Sequence, residues 1–150
     1  MCTANINRSP MGEAWAKQLF QKRFVMAEVR SAGTHAWGDA LAGADTTEAM
    51  RELGFDLREH RSTRLTSELL AWADVVAVME PMHAEVALEL DPSVEDKLVR
   101  LWSFLPGQPD HVEDPIGQQL EAHRAAAVRV GDATKAAVEQ WFARRRAARS

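Results

Sequence analysis

Val75, Val76, Ala77, Val78 and Met79 form an unbroken apolar run. It has the length of a strand, and a strand with no polar face belongs inside a parallel sheet covered by helices on both sides. The flanking segments supply those helices. Thr66 can cap a short helix through Trp72, and His83 to Leu90 reads as another helix. Nearer the start, Ser9 followed by Pro10 reads as a helix beginning, since proline in a first turn loses only an amide without an intrahelical partner. Met11, Ala14, Trp15 and Leu19 continue it as an apolar stripe, giving a helix over Pro10 to Arg23. Val25 to Ala32 alternates as a strand and stops at Gly33. A helix over Thr46 to Leu53 ends at Gly54. Val99 to Leu105 reads as a further strand, Pro106 to Gly117 as a surface loop, and Gly117 to Arg146 as a long alanine-rich helix. Strands separated by helices imply an α/β layered domain.

The chain has 150 residues, 46% hydrophobic and 27% charged, which suits one domain spanning 1–150. A net charge of -4 argues against a general grip on nucleic acid or an anionic membrane, both of which need a basic face. No apolar run is long enough to span a bilayer. Asn5, Asn7, Arg8, Glu13 and Lys17 stand where a signal peptide needs an apolar core, so a cytoplasmic location is expected. The single cysteine, Cys2, excludes an intramolecular disulfide and a cysteine-rich zinc site. No metal-ligand cluster is visible, and neither metal nor other cofactor is expected. Cys2 is then either an inert small hydrophobe or a reactive thiol.

Cys2-Thr3-Ala4-Asn5-Ile6-Asn7-Arg8-Ser9-Pro10 places a cysteine and an arginine with five residues between them, just before a helix. A loop of this kind turns successive backbone amides inward, and the helix dipole adds positive potential, so a phosphate-sized anion can be held there. Arg8 adds a bidentate, permanently charged fork. The same field favours the thiolate of Cys2. In an arginine-rich chain the pair alone is weak. The wider pattern, however, resembles the low-molecular-weight protein-tyrosine phosphatases: a cysteine, five residues, then Arg-Ser-Pro, with asparagine at Asn5 and an acidic residue at Glu13. The resemblance continues in register through Ser31-Ala32-Gly33-Thr34, Leu53-Gly54-Phe55-Asp56, His60-Arg61 with Leu65-Thr66, Asp74 to Met79 with His83, and Glu113-Asp114-Pro115.

That resemblance implies a three-layer fold with a parallel sheet flanked by helices. It also implies a phosphomonoester hydrolase acting on protein phosphotyrosine or aryl phosphates through a phosphocysteine. Cys2 would be the nucleophile, Arg8 the phosphate clamp and Asp114 the general acid, then base. Thr3, Ala4, Asn5, Ile6, Asn7 and Ser9 would line the phosphate loop, and Trp37 would line the substrate slot. Asn5 would hold the loop conformation, with His60, and Ser9 would donate to the thiolate. Each has a plainer reading beside it: Ser9 as a helix cap, His60 as a satisfied loop histidine, Trp37 as core, Asp114 as a turn residue before proline. Arg144, Arg145 and Arg146 read as a solvated complement to a helix C-terminus. An arsenate reductase using an external thiol, or an inactive phosphate-binding relative, are the competing readings.

Four departures stand out. Asn7 replaces the second cysteine usual in the family's loop, so Cys2 has no neighbouring thiol to rescue it from over-oxidation. Ile116 replaces the aromatic residue after Asp-Pro, leaving Trp37 as the expected stacking partner. Ile6 stands where the related arginine phosphatases tend to carry threonine, which favours a phosphoaryl substrate. Last, only Met1 precedes Cys2, where the family has a central apolar strand. The sheet is therefore expected to lack that strand and to leave backbone groups unpaired on both sides of it. A valine GTG codon taken as initiator is the explanation the sequence suggests.

Overall fold

The apolar run forms a strand only at its centre. In the computed structural model, which describes residues 1–148, β1 is Val76–Val78 and pairs in parallel with β2, Leu98–Arg100, with Val76 opposite Leu98. Val76 and Val78 face one core with Leu65, Leu70, Ala84, Ala87 and Val94. Ala77 and Met79 face the other, with Met11, Met50, Leu101, Ala127 and Val130. Alternate residues thus bury against opposite layers, as expected for a sheet between helices.

Among the described residues five α-helices surround this sheet: α1 (Arg8–Lys22), α2 (Ala44–Glu52), α3 (Ser67–Trp72), α4 (Pro81–Leu90) and α5 (Leu120–Ala147). Their ends follow local chemistry. The Thr66 hydroxyl accepts from the Leu69 amide and caps α3. Past α2, Gly54 takes φ +90°. Its amide donates to Arg51, and Phe55 donates to Met50, the paired bonds that close a helix on a left-handed glycine. Arg144, Arg145 and Arg146 fall in the last turn of α5. α1 packs along α5, where Trp15 lies against Gly131 and donates to the Ala127 carbonyl at 3.1 Å.

Three expectations need correction. α1 begins at Arg8 rather than Pro10, because a proline third in the helix still sits among the first-turn amides that need no partner. Val99 to Leu105 is a strand only to Arg100, after which Leu101–Phe104 turn into a 3₁₀ helix. β1 has already ended opposite Arg100, so the backbone has no ladder to continue, and the turn buries Leu101. Val25 to Ala32 forms no strand. Among the described residues its one ladder contact is the Ala32 carbonyl, which accepts from Cys2, while Phe24 and Met26 are exposed. Between this segment and Val75 runs a groove of about 760 Å³ bordered by Met1, Gly12, Phe20, Val29, Ala77 and Trp141. At its end the Met1 ammonium donates to the Ala77 carbonyl at 2.6 Å. Among the described residues nothing joins the two sides as a strand, in line with the expected gap in the sheet.

Candidate active site

Residues 2–7 run from an isolated parallel bridge at Cys2 into the N-terminus of α1. Cys2 bridges to Gly33, and the amides of Thr34 and His35 donate to the carbonyls of Cys2 and Thr3. Gly33 must be glycine: a Cβ there would stand 2.5 Å from the Thr3 carbonyl oxygen. Asn5 takes φ +58°, a left-handed conformation that asparagine tolerates better than most residues. It is held there on every side. Its Oδ1 accepts from the Thr63 amide at 2.8 Å, its carbonyl accepts from His60 Nε2 at 2.7 Å, and its Nδ2 donates to Ser9 Oγ at 2.7 Å and Ser31 Oγ at 2.9 Å. Because Ser9 Oγ receives that hydrogen bond, its own hydrogen is free to point at Cys2 Sγ, 3.0 Å away. Ser9 makes no helix-capping bond. Ser31 passes its hydrogen to Glu13.

The amides of Thr3, Ala4, Asn5, Ile6 and Asn7 donate to no protein acceptor among the described residues. A run of unused N–H groups at a helix N-terminus is an anion cradle. Arg8 stands in the first turn of α1 and is 1% exposed. One terminal nitrogen donates to the Val112 carbonyl at 2.8 Å and the other to Asp114 Oδ2 at 3.0 Å. Glu80 adds an ion pair at 3.4 Å. Arg8 Nε is buried and has no protein partner, so an anion in the loop would satisfy a charged donor that is costly to leave unmatched.

Asp114 reaches this place through Val112. The Val112 amide donates to the Met79 carbonyl at 2.7 Å, at the end of β1, and its side chain is fully buried. That anchor fixes the loop, and Asp114 follows two residues later, its Oδ1 accepting from the Ile116 amide. Cys2, Arg8, Ser9, Asn5 and Asp114 therefore converge. Trp37 does not join the core: it is 98% exposed, three residues beyond Thr34. Ile116 is also exposed.

Sequence reading missed Glu80 and gave no role to its partner His83, which it named only within the resemblance. Glu80 follows β1, at the carboxyl end of a parallel strand, where α/β folds place their sites; that position was the available signal. His83 Nε2 lies 3.0 Å from Glu80 and 2.9 Å from Thr3 Oγ1. Burial and then the nearby Arg8 charge lower the His83 pKa to about 3. The ring is neutral, with its hydrogen on Nε2, since a carboxylate can only accept. Among the described residues no group of His, Cys, Asp and Glu is placed to hold a metal ion, and no helix is long and apolar enough to cross a membrane.

Comparison with known proteins places this site in context. A profile described as low molecular weight phosphotyrosine protein phosphatase matches residues 1–149. The protein-arginine-phosphatase of Geobacillus stearothermophilus is 34% identical over 84% of this chain and 82% of its own length. The Escherichia coli K12 low molecular weight protein-tyrosine-phosphatase Etp is 30% identical over 81% and 78%. Among solved structures, Vibrio vulnificus Wzb in complex with benzylphosphonate superposes with a TM-score of 0.83 at 31% identity, covering 93% of this chain and 94% of that one. With that profile running essentially end to end, the chain belongs to the low molecular weight phosphotyrosine protein phosphatases, a family of cysteine-dependent hydrolases.

Proposed function

We propose that the chain hydrolyses phosphotyrosine in proteins, and related aryl phosphates, in the cytoplasm, with Cys2 as nucleophile, Arg8 as phosphate clamp and Asp114 as general acid. The observation that carries this reading is the Arg8–Asp114 contact at 3.0 Å. It brings an acid from a loop 106 positions away to the mouth of the cysteine loop. In the first step the Cys2 thiolate attacks phosphorus in line. The S–P bond forms as the P–O bond breaks, and the Asp114 proton goes to the departing phenolate. In the second, Asp114 takes a proton from water, the new oxygen bonds to phosphorus and the S–P bond breaks, returning thiolate and phosphate. Charge on the transferring phosphoryl group falls to Arg8 and the free amides of residues 3–7, donors fixed before reaction begins. The Ser9 hydroxyl, 3.0 Å from Sγ, stabilises the thiolate as nucleophile and leaving group.

The exposed Trp37 ring and the apolar Ile116 suit the walls of an aryl slot, and the benzylphosphonate held by the Vibrio vulnificus protein is a ligand of that shape. A second reading, hydrolysis of phosphoarginine, is favoured by the 34% identity to the Geobacillus protein-arginine-phosphatase. Against it, Ile6 offers no hydroxyl to the guanidinium side of such a substrate. Hydrolysis of 4-nitrophenyl phosphate, abolished by Cys2→Ser, is the expected result. Phosphotyrosyl peptide should turn over faster than phosphoarginyl peptide. The reverse order would transfer the assignment to phosphoarginine, and hydrolysis surviving Cys2→Ser would remove the nucleophile.

A further inference from the structure

Asn7 closes the phosphate loop, yet its side chain points away from Cys2 into the protein. Asn7 Oδ1 accepts from Thr46 Oγ1 at 2.8 Å, and Thr46 Oγ1 lies 2.9 Å from His123 Nδ1. All three are buried: Asn7 is 5%, Thr46 0% and His123 5% exposed. A hydroxyl has one hydrogen, and Thr46 gives it to Asn7, so the second bond needs His123 Nδ1 as donor. The result is a directional relay from α5 through the first turn of α2 to the loop. The same turn makes a second hold, since the Gly43 amide donates to the Ile6 carbonyl at 2.9 Å. Contact is close enough that a Cβ on Gly43 would stand 2.5 Å from Asn7 Oδ1, although the Gly43 backbone, at φ -54° and ψ 142°, suits any residue.

A buried polar trio in an otherwise apolar layer is expensive unless every member is matched. Here it ties two helices to the Asn7 side chain, while the neighbouring Gly43 amide holds the Ile6 carbonyl, at the outer turn of the loop. The Ile6 carbonyl shares its peptide unit with the Asn7 amide, so holding that carbonyl and the Asn7 side chain together aims the end of the loop at the anion. We propose that Thr46 and His123 are positioning residues for phosphoryl transfer: through the Asn7 side chain they set the loop amides in the geometry that the transition state needs. The inference rests on the assignment of residues 2–8 as the phosphate site.

The test compares Thr46→Val, which keeps shape and removes the hydroxyl, with Thr46→Ser, which keeps the bridge. His123→Leu is paired with His123→Asn, which can retain a donor near the Nδ1 position. Expected for Thr46→Val and His123→Leu is a fall in kcat on 4-nitrophenyl phosphate of roughly tenfold or more, the scale set by small misplacements of binding groups. Inhibition by vanadate, a mimic of the five-coordinate transition state, should weaken more than inhibition by inorganic phosphate. Thr46→Ser and His123→Asn should recover most of both. A folded Thr46→Val protein with unchanged kcat and unchanged vanadate-to-phosphate selectivity overturns the proposal, even if its Tm is lower, because that is what a purely scaffolding contact would give. Should Thr46→Val fail to fold, the His123 pair decides by the same readouts. If the unmodified chain has no activity, the phosphatase assignment fails separately. Phosphate affinity by calorimetry, weakened by His123→Leu and kept by His123→Asn, then decides the positioning role alone.

Discussion

A guanidinium that is 1% exposed has to be matched by acceptors, and Arg8 finds them in Asp114, Glu80 and the Val112 carbonyl. Replacing it with lysine keeps a charge but discards the planar fork. Arg8→Lys is expected to lower kcat/KM by about 10² or more while the protein stays folded, measured with 4-nitrophenyl phosphate and circular dichroism. Asp114→Asn tests a different property. Loss of general acid help should reach about 10² to 10⁴ in rate for a basic leaving group such as phenolate and be much smaller for 4-nitrophenolate. Equal losses with both in kcat/KM, which reports the P–O cleavage step and not hydrolysis of the phosphocysteine, would show that Asp114 does not protonate the leaving group. Gly33 sets the tolerance of the loop from behind. With the Thr3 carbonyl oxygen 2.5 Å from where a Cβ would sit, Gly33→Ala must displace main chain, and activity should fall even in protein that remains folded. At this scale the sequence was readable where residue type is restrictive. Cysteine, five residues and Arg-Ser-Pro pointed to the loop through their resemblance to the phosphatase family, and the roles expected of Asn5 and Ser9 came with that resemblance. Glu80 was hidden because a lone glutamate after a strand has no distinctive signature, and the Thr46–His123 relay because its members lie 77 positions apart.

Elements in this fold depend on what lies beside them. α1 and α5 approach closely because Gly131 admits the Trp15 ring, which would stand 2.6 Å from a Cβ. Helix propensity alone would make Gly131→Ala stabilising by about 1 kcal/mol. The clash should outweigh it and give a net loss of about 1–3 kcal/mol, visible as a lower midpoint in urea. A higher midpoint would mean that Trp15 moves aside freely. Along the groove, the Met1 amino group is buried and its pKa lowered, chiefly by desolvation, while it offers a single hydrogen bond to Ala77. An apolar, extended run fused ahead of Met1 would replace that ammonium with an amide and give residues 25–31 and Ala77 a strand to pair with. Such a chain is expected to melt at higher temperature than one with a polar run of the same length; identical Tm values would count against the groove as a strand site. Helices were legible to within two or three residues, because caps and periodicity are local. The strand expected over Val25 to Ala32 was not realised, because a strand exists only by pairing.

For the molecule as a whole, His83 couples stability to pH. Its pKa is about 3 in the folded protein against an ordinary 6.5, so below 6.5 the unfolded chain takes up a proton that the folded chain refuses. The contribution is complete above pH 6.5 and is lost as pH falls toward 3, at about 1.4 kcal/mol per unit. Tm measured from pH 7 to pH 4 should fall more steeply for the unmodified chain than for His83→Asn; parallel slopes would show that His83 is not responsible. Sequence alone determined the α/β class, from one apolar run between amphipathic segments, and pointed to an anion loop through a Cys-to-Arg-Ser-Pro pattern that resembles the phosphatase family. Both are local patterns that backbone sterics and burial impose wherever they occur. Tertiary structure decided the rest: which strands find partners, that Asp114 meets Arg8 through the buried Val112 anchor, and that α2 and α5 hold the loop from behind. Those facts depend on groups far apart in the chain arriving within hydrogen-bonding distance, and no spacing along a sequence encodes that distance.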